Sequence, residues 1–477
     1  LLNALIAHGI GHIDAVEKTE MRDLVLRGGP WTEKECHDIL DYCDSDVRAL
    51  EKLLPAMLPG IDLPRALYRG RYMAAVARME HNGVPIDRDA LDRFEAARDA
   101  IVDELIAETD RAYGVYEGRT FKLERFRAYL QREAIPWPHD ANGRPILDKD
   151  TFHRMEREYP QIRELAQLRS LLGENRAKRL PVGLDGRNRT LLSPFGSSTG
   201  RNQPSTTNAI FGRSAWCRSF IKPAPGHGVA YIDWGQQEVG IAAALSGDPA
   251  LKEAYESGDP YLAFGKQAGK IPEDGTKETH KAERDRFKAC VLAVQYGMGD
   301  KSLAESAGIT AFEARDLLRM HHETYPRFWE WSQAAVDDAF LLGYIQTVFG
   351  WRIHVSPGHN PRSLANFPMQ ANGAEMLRLA CCLATENSIK VCAPVHDAVL
   401  IEAPLDCLDE HVARMRQYMA EASRFVLDGF ELRTDVDIVR YPDRYVDERG
   451  KTTWNRIMAL VDKQEQQIVD LRIIDTP

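Results

Sequence analysis

Residues 391–404 read VCAPVHDAVLIEAP, two apolar runs separated by His396 and Asp397. Short apolar runs bounded by Pro read as buried strands, and a two-residue polar step between them reads as a hairpin turn. Asp397 is then held at a tight bend between buried strands, where an unpaired carboxylate is costly unless a cation or a polar partner compensates it. The dipeptide alone carries no information, because His-Asp recurs at His37-Asp38 and His139-Asp140, where nothing points to chemistry. Placement distinguishes this copy.

Two further segments give the hairpin a context. Residues 231–240, YIDWGQQEVG, are an apolar strand ending in Asp233, with a second carboxylate at Glu238. A lone Asp between a strand and a helix is more often a helix cap than a ligand. Residues 284–299, RDRFKACVLAVQYGMG, carry Arg284, Lys288, Leu292 and Tyr296 four apart. That spacing places them along one drifting helix face, about 18 Å from end to end. The length suits a nucleoside triphosphate, with cations at the phosphates and the aromatic near the base. A solvated amphipathic helix shows the same spacing. Together, two separated carboxylates, a cationic helix and a hairpin acid are what two-metal phosphoryl transfer on a polynucleotide requires.

Around these segments the chain divides by pattern. Residues 1–65 read as short helices, with a capping box at Thr32 and Glu35 opening a long apolar-periodic run that LPGIDLP breaks. Residues 66–180 are helical and charge-rich, interrupted near IPWPHDANGRPILD and ending with Arg169, Arg176, Lys178 and Arg179 on an amphipathic run. Strands are expected at SFIKPAP (219–225), GVAYID (228–233), GYIQTVFGWRIHV (343–355) and LRTDVDIVRYP (432–442). Those near 230, 345, 395 and 435 are expected to form one sheet, with a helical insertion between the first and second. The fold class is therefore α+β.

At 477 residues the chain has room for several cores. A net charge of −10 argues against uniform coating of nucleic acid, but leaves room for a local positive groove beside metal-binding acids. The eight cysteines form no CxxC pair and no zinc-spaced cluster, so they are expected to be reduced core thiols of a cytosolic protein. No apolar run is long enough to span a bilayer, and the opening LLNALIAHGIGHID lacks the marks of a signal peptide. The chain opens on Leu1 rather than Met, so residue 1 is expected not to be a natural start.

In this order the three segments resemble motifs A, B and C of the family A DNA polymerases, the bacterial DNA polymerase I group, in a phage-like form. TGRNQPSTTN (199–208), TVFGWR (347–352) and RSLANFPMQ (362–370) also match in order. The resemblance implies a right hand, with a thumb at 66–190, a palm at 191–240 and 343–477, and fingers at 241–342. It implies DNA synthesis from a primer 3′-hydroxyl with release of pyrophosphate, using two Mg²⁺ ions or Mn²⁺ as a substitute. Asp233 and Asp397 match the metal acids, with the Trp234 carbonyl as a further ligand. Arg284 and Lys288 match the cations on the incoming triphosphate, Lys288 also in a catalytic role. Leu292, Tyr296 and Gln236 match further nucleotide contacts, and Glu238 the residue that crowds the sugar 2′ position. Arg201, Arg362, Asn366, Gln370 and His396 match contacts to primer, template or nascent pair. Primer-template DNA and deoxynucleoside triphosphates are the implied partners of a monomer, in the cytoplasm of a bacterial or phage-infected cell.

Two departures qualify the match. Ala398 stands where motif C usually has Glu, and Leu292 where the fingers helix usually has Phe or Tyr. Residues 1–65 resemble the end of a 3′-5′ exonuclease domain, Tyr42 and Asp46 in YCDSD matching its last motif without the earlier Asp-x-Glu pair. A single-subunit RNA polymerase shares the acids and the cationic helix, but Glu238 argues against it. A DNA-binding scaffold with impaired catalysis is the other alternative, hinted at only by Ala398. The amphipathic tail IMALVDKQEQQIVDL (457–471) suggests no role.

Overall fold

The computed structural model describes residues 1–11, 15–175 and 179–474; Arg176 and Lys178 of the cationic run lie outside them. It divides into two compact units, Leu1–Arg71 and Tyr72–Pro477. The division falls inside the helix Leu63–Asn82.

The first unit holds α1 (Leu2–Ala7), α2 (Ala15–Arg27), α3 (Glu33–Met57) and the start of α4 (Leu63–Asn82). The expected capping box is present: the Thr32 hydroxyl accepts from the Glu35 N–H, and the Glu35 carboxylate accepts from the Thr32 N–H at 2.8 Å. Tyr42 and Asp46 lie one turn apart on α3, both turned to Lys18 of α2, whose ammonium stands 3.5 Å from Asp46 and 6.0 Å from the Tyr42 ring centroid. Cys36 and Cys43 are exposed on this helix, which corrects the expectation that every thiol is in a core. Their helix has only Leu53 fully buried, so there is little core here to enter.

The second unit opens with α5 (Arg88–Tyr113), α6 (Leu123–Arg132), α7 (Lys149–Glu158) and α8 (Arg163–Asn175), with the two-residue strands β1 (Val84–Pro85), β2 (Tyr116–Glu117), β3 (Thr120–Phe121) and β4 (Arg187–Asn188) among them. β5 (His227–Trp234) follows. Then come α9 (Gln237–Ser246), α10 (Pro249–Glu256), α11 (Pro260–Gln267), α12 (Lys281–Gln295), α13 (Asp300–Ala307), α14 (Ala311–Thr324) and α15 (Pro326–Leu342). The chain continues through β6 (Tyr344–Gln346), β7 (Arg352–His354), α16 (Pro361–Glu386), β8 (Lys390–Val395), β9 (Ala398–Pro404), α17 (Leu408–Val426), β10 (Thr434–Arg440) and α18 (Lys451–Ile474).

One antiparallel sheet, in the order β10-β5-β9-β8, organises this unit. The strand near 345 does not join it: β6 and β7 pair only with each other. Three-residue strands carry too little ladder to compete for a sheet edge, and their turn is claimed by α16, where Glu375 accepts from the Thr347 hydroxyl (2.9 Å) and Asn372 from the Val348 N–H (3.0 Å). The expected strand at 219–225 is likewise a 3-10 turn over Ala215–Phe220 followed by a single bridge from Ile221 to Ile86. Pro223 and Pro225 have no N–H to extend that ladder.

The tail has a structural place. α18 packs on α5, burying Trp454, Ile457 and Val461 in the core shared with the sheet, each worth about 1.5–3 kcal/mol. Arg93 pairs with Asp462 (2.5 Å) and Glu465 (2.6 Å) along the same seam. Among the described residues no helix is long and apolar enough to cross a membrane.

Candidate active site

Register alone puts the acids together. Asp233, near the end of β5, is paired with Ala398 of β9 on one side and with Asp435 of β10 on the other. Asp397 occupies the two-residue turn between β8 and β9, where His396 adopts φ 54°, the left-handed conformation such a hairpin turn demands. The Trp234 N–H donates to the Asp397 carbonyl at 3.2 Å, tying the strand end to the turn. Gln236, just past the strand, is also left-handed at φ 47°. Two strained non-glycine residues flank the acids, as at sites where geometry is over-determined by the surroundings.

The electrostatics leave both carboxyls raised. Burial first, then the charges of Asp397 and Asp435, push the Asp233 carboxyl up to about 6. Burial also raises Asp397, against the opposing pull of Arg201 and His396. Among the described residues no Lys or Arg is ion-paired to either, and no three His, Cys, Asp or Glu side chains converge as a ready metal cage. Two carboxylates are nonetheless what a hard divalent ion needs, since Mg²⁺ keeps several waters and takes its remaining oxygens from substrate phosphates. The donor set fits such an ion.

A cavity of about 290 Å³ gathers half of the expected polymerase-site residues: Arg201, Gln236, Glu238, Leu292, Tyr296, His396 and Asp397 line it, whereas Asp233, Arg284 and Lys288 do not. Tyr261, Gln237 and Gln295 line it too, and no local pattern in the sequence marks them. Arg201 reaches Glu238 at 3.5 Å, so the carboxylate expected at the sugar is held by a cation expected at the DNA. Burial raises Glu238, and the Glu238 charge in turn raises the neighbouring Tyr296 hydroxyl.

α12 buries Phe287, Cys290, Val291 and Val294; along the four-residue stripe Lys288 and Tyr296 are exposed while Arg284 and Leu292 are half-buried, and Tyr296 is the C-terminal cap. Arg284 and Lys288 stand over the Tyr261 ring at 5.4 and 5.8 Å, which connects both cations to the cavity wall. Arg284 is not free: its Nε donates to Asp259 at 2.5 Å. Arg362 is exposed and packs on the turn after Tyr296, where a Cβ on Gly297 would lie 3.0 Å from its side chain. Asn366 is buried with its Oδ1 unpartnered, Gln370 is half-buried, and the Trp234 ring is buried.

A buried network explains why three sub-motifs occur together. Arg378 of α16 donates to Glu375 (3.1 Å) and to the Gly200 carbonyl (2.9 Å), while Glu375 holds Thr347. Trp351 donates to the Ser198 carbonyl at 2.8 Å and stacks on Phe195 with ring centroids 5.3 Å apart. Residues 199–208, 347–352 and α16 are thus parts of one support beneath the cavity. Breaking such a buried pair by removing one partner costs about 3–5 kcal/mol.

The sequence matches the family model described as DNA polymerase family A over residues 141–440, and the chain belongs to that family. DNA polymerase I of Aquifex aeolicus is 24% identical over 411 residues, covering 82% of this chain and 69% of that protein. The Pseudomonas aeruginosa enzyme of the same name is 24% identical over 440 residues, 84% of this chain and 46% of that one. For the Synechocystis relative the values are 26% identity over 316 residues, 58% and 32%. The chain thus spans about a third to two thirds of the length of these relatives. In fold it is similar to the polymerase domain of Pol1 from M. smegmatis, solved in complex with DNA primer-template and dNTP, with a TM-score of 0.64, 21% identity, and coverage of 84% of this chain and 74% of that one.

Proposed function

We propose that this chain carries out template-directed DNA synthesis in the cytoplasm, adding deoxynucleotides to a primer 3′-hydroxyl. The observation that supports this most directly is one cavity in which residues from three distant segments meet, with Asp397 in its wall and Asp233 one register step away, both carboxyls raised by burial. Asp233 and Asp397, with the Trp234 carbonyl, would hold two divalent cations, Mg²⁺ or Mn²⁺. When bound, these lower the pKa of the primer hydroxyl and neutralise charge on the departing pyrophosphate. Arg284 and Lys288 bind the triphosphate, and Tyr296 lies against the base. Glu238, kept in place by Arg201, fills the space a ribose 2′-hydroxyl would need. Residues 66–190 serve as thumb, 241–342 as fingers and the remainder of the second unit as palm. Closure of the fingers over a matched nucleotide makes selection an induced-fit step.

Primer extension with Mg²⁺, with deoxy- and ribonucleotides in parallel, tests the reading. Extension with deoxynucleotides is expected. Equal extension with ribonucleotides would indicate an RNA polymerase, and DNA binding without extension a scaffold.

A further inference from the structure

Arg433, just before β10, belongs to none of the motifs, yet its contacts converge on the turn that follows Asp233. Its Nη2 donates to the Gln236 side-chain oxygen and to the Gly258 carbonyl (2.9 Å), and its Nη1 to the Tyr255 carbonyl (2.6 Å). The guanidinium lies 4.4 Å from the Tyr255 ring centroid. The backbone reinforces this. The Gly235 N–H donates to the Arg433 carbonyl (3.0 Å), the Arg433 N–H to the Tyr255 hydroxyl (3.2 Å), and that hydroxyl to the Gly235 carbonyl (3.0 Å). A Cβ on Gly235 would press at 3.2 Å on both Arg433 Nε and the Asp435 carboxylate, so a side chain there would push against the guanidinium.

The other end of the contact reaches the cationic helix. Gly258, whose carbonyl Arg433 holds, precedes Asp259. Asp259 uses one carboxylate oxygen to cap α11 at the Leu262 N–H (3.1 Å) and the other to accept from Arg284 Nε (2.5 Å). One guanidinium therefore grips the turn behind a metal acid and the loop that orients a triphosphate cation. A planar fork spreads its donors over separate nitrogens at fixed directions and so reaches two carbonyls and an amide oxygen at once, whereas an ammonium's three donors radiate from one nitrogen.

We propose that Arg433 is a positioning residue that sets Arg284, through Gly258 and Asp259, relative to Asp233. This rests on the polymerase reading, and misplacement by about 1 Å can cost up to a hundredfold in rate. The test compares Arg433→Ala and Arg433→Lys, each alone and with Arg284→Ala, by kcat and KM for the nucleotide, by the Kd of a fluorescent deoxynucleoside triphosphate analogue, and by Tm. In folded Arg433→Ala, KM and analogue Kd are expected to rise about tenfold and kcat to fall, with Lys a poor rescue. In the Arg284→Ala background the same change is expected to move KM and Kd less than twofold, because the group being positioned is gone. Folded Arg433 variants with KM and Kd unchanged would overturn the proposal, as would an equal effect with and without Arg284. Should Arg433→Ala not fold, Arg433→Lys and Asp259→Asn carry the comparison, with Asp259→Asn expected to raise KM in the wild type but not beside Arg284→Ala. A wild type that binds the analogue but extends no primer would sink the polymerase reading while leaving the Kd comparison to decide on Arg433.

Discussion

The acids and the cations of this site are built in opposite ways. Asp233 and Asp397 sit at a strand end and a hairpin turn locked by register and by the Trp234 N–H, half-buried, raised by burial, and with no Lys or Arg ion-paired to either among the described residues. Lys288 is exposed and Arg284 half-buried on one helix, and both already have company, an aspartate for Arg284 and the Tyr261 ring for both. The difference assigns the work. The sheet stores an unmet demand for positive charge, whereas the helix holds positive charge that, on the proposed function, substrate phosphates would draw on by exchange.

The comparison is broken most severely on the sheet. Asp233→Asn and Asp397→Asn are each expected to lower primer extension about a thousandfold or more, because a bound metal contributes several kcal/mol to the transition state. Primer-template affinity, measured by fluorescence anisotropy, is expected to hold within a fewfold, since the DNA contacts proposed for Arg201, Arg362, Asn366 and Gln370 lie on other residues. Activity of either variant within tenfold of wild type would remove the metal assignment.

On the helix the expected loss is smaller and differently divided. Lys288→Ala should cost about a hundredfold in kcat/KM, through both a raised nucleotide KM and a depressed kcat, because the cation meets the triphosphate before and during transfer. Steady-state kinetics with one nucleotide varied would register this. Lost DNA affinity with unchanged nucleotide kinetics would instead put the helix in the template groove.

These contrasts also explain what was legible in the sequence. Asp397 could be read because a polar pair between two apolar runs is a local signal, and the α12 stripe because four-residue spacing is a helix period. The Arg433 contacts could not, since residues 433 and 255–258 are brought together only by the sheet and no short pattern spans them. The strand at 345 was misjudged for a related reason: an apolar alternation over three residues specifies a strand but not its partner. The alternation at SFIKPAP looked like a strand until its prolines were asked to donate. Residues 457–471 showed an apolar face, but its partner on α5 lies more than three hundred positions earlier.

The cavity wall gives a smaller effect than either region. Glu238→Ala removes the carboxylate that Arg201 holds, opening the place a 2′-hydroxyl would occupy or leave unpaired, a difference of about 1–3 kcal/mol. The ratio of kcat/KM for ribo- over deoxynucleotides should therefore rise about tenfold or more. An unchanged ratio would remove the main reason for preferring DNA as product.

The smallest effect tests the stored charge directly, without turnover. The Asp233 carboxyl, at about 6 when folded, lies above its ordinary value of 3.8, so its ionisation opposes folding. The sign follows from linkage: the penalty is full above the folded value, shrinks as pH falls from about 6 towards 4, and is absent below the unfolded value. Asp233→Asn in metal-free protein should then raise Tm by about 2–4 °C at pH 8 and leave it unchanged near pH 4. Mn²⁺ should remove part of the same penalty in the wild type, raising its Tm at pH 8 but not that of Asp233→Asn, with binding about tenfold weaker for each pH unit below 6. Scanning calorimetry at the two pH values, with EDTA and with Mn²⁺, reads all of these. A variant less stable than wild type at pH 8 would mean that Asp233 is satisfied within the fold, and the contrast between a waiting sheet and a furnished helix would fail at its first residue.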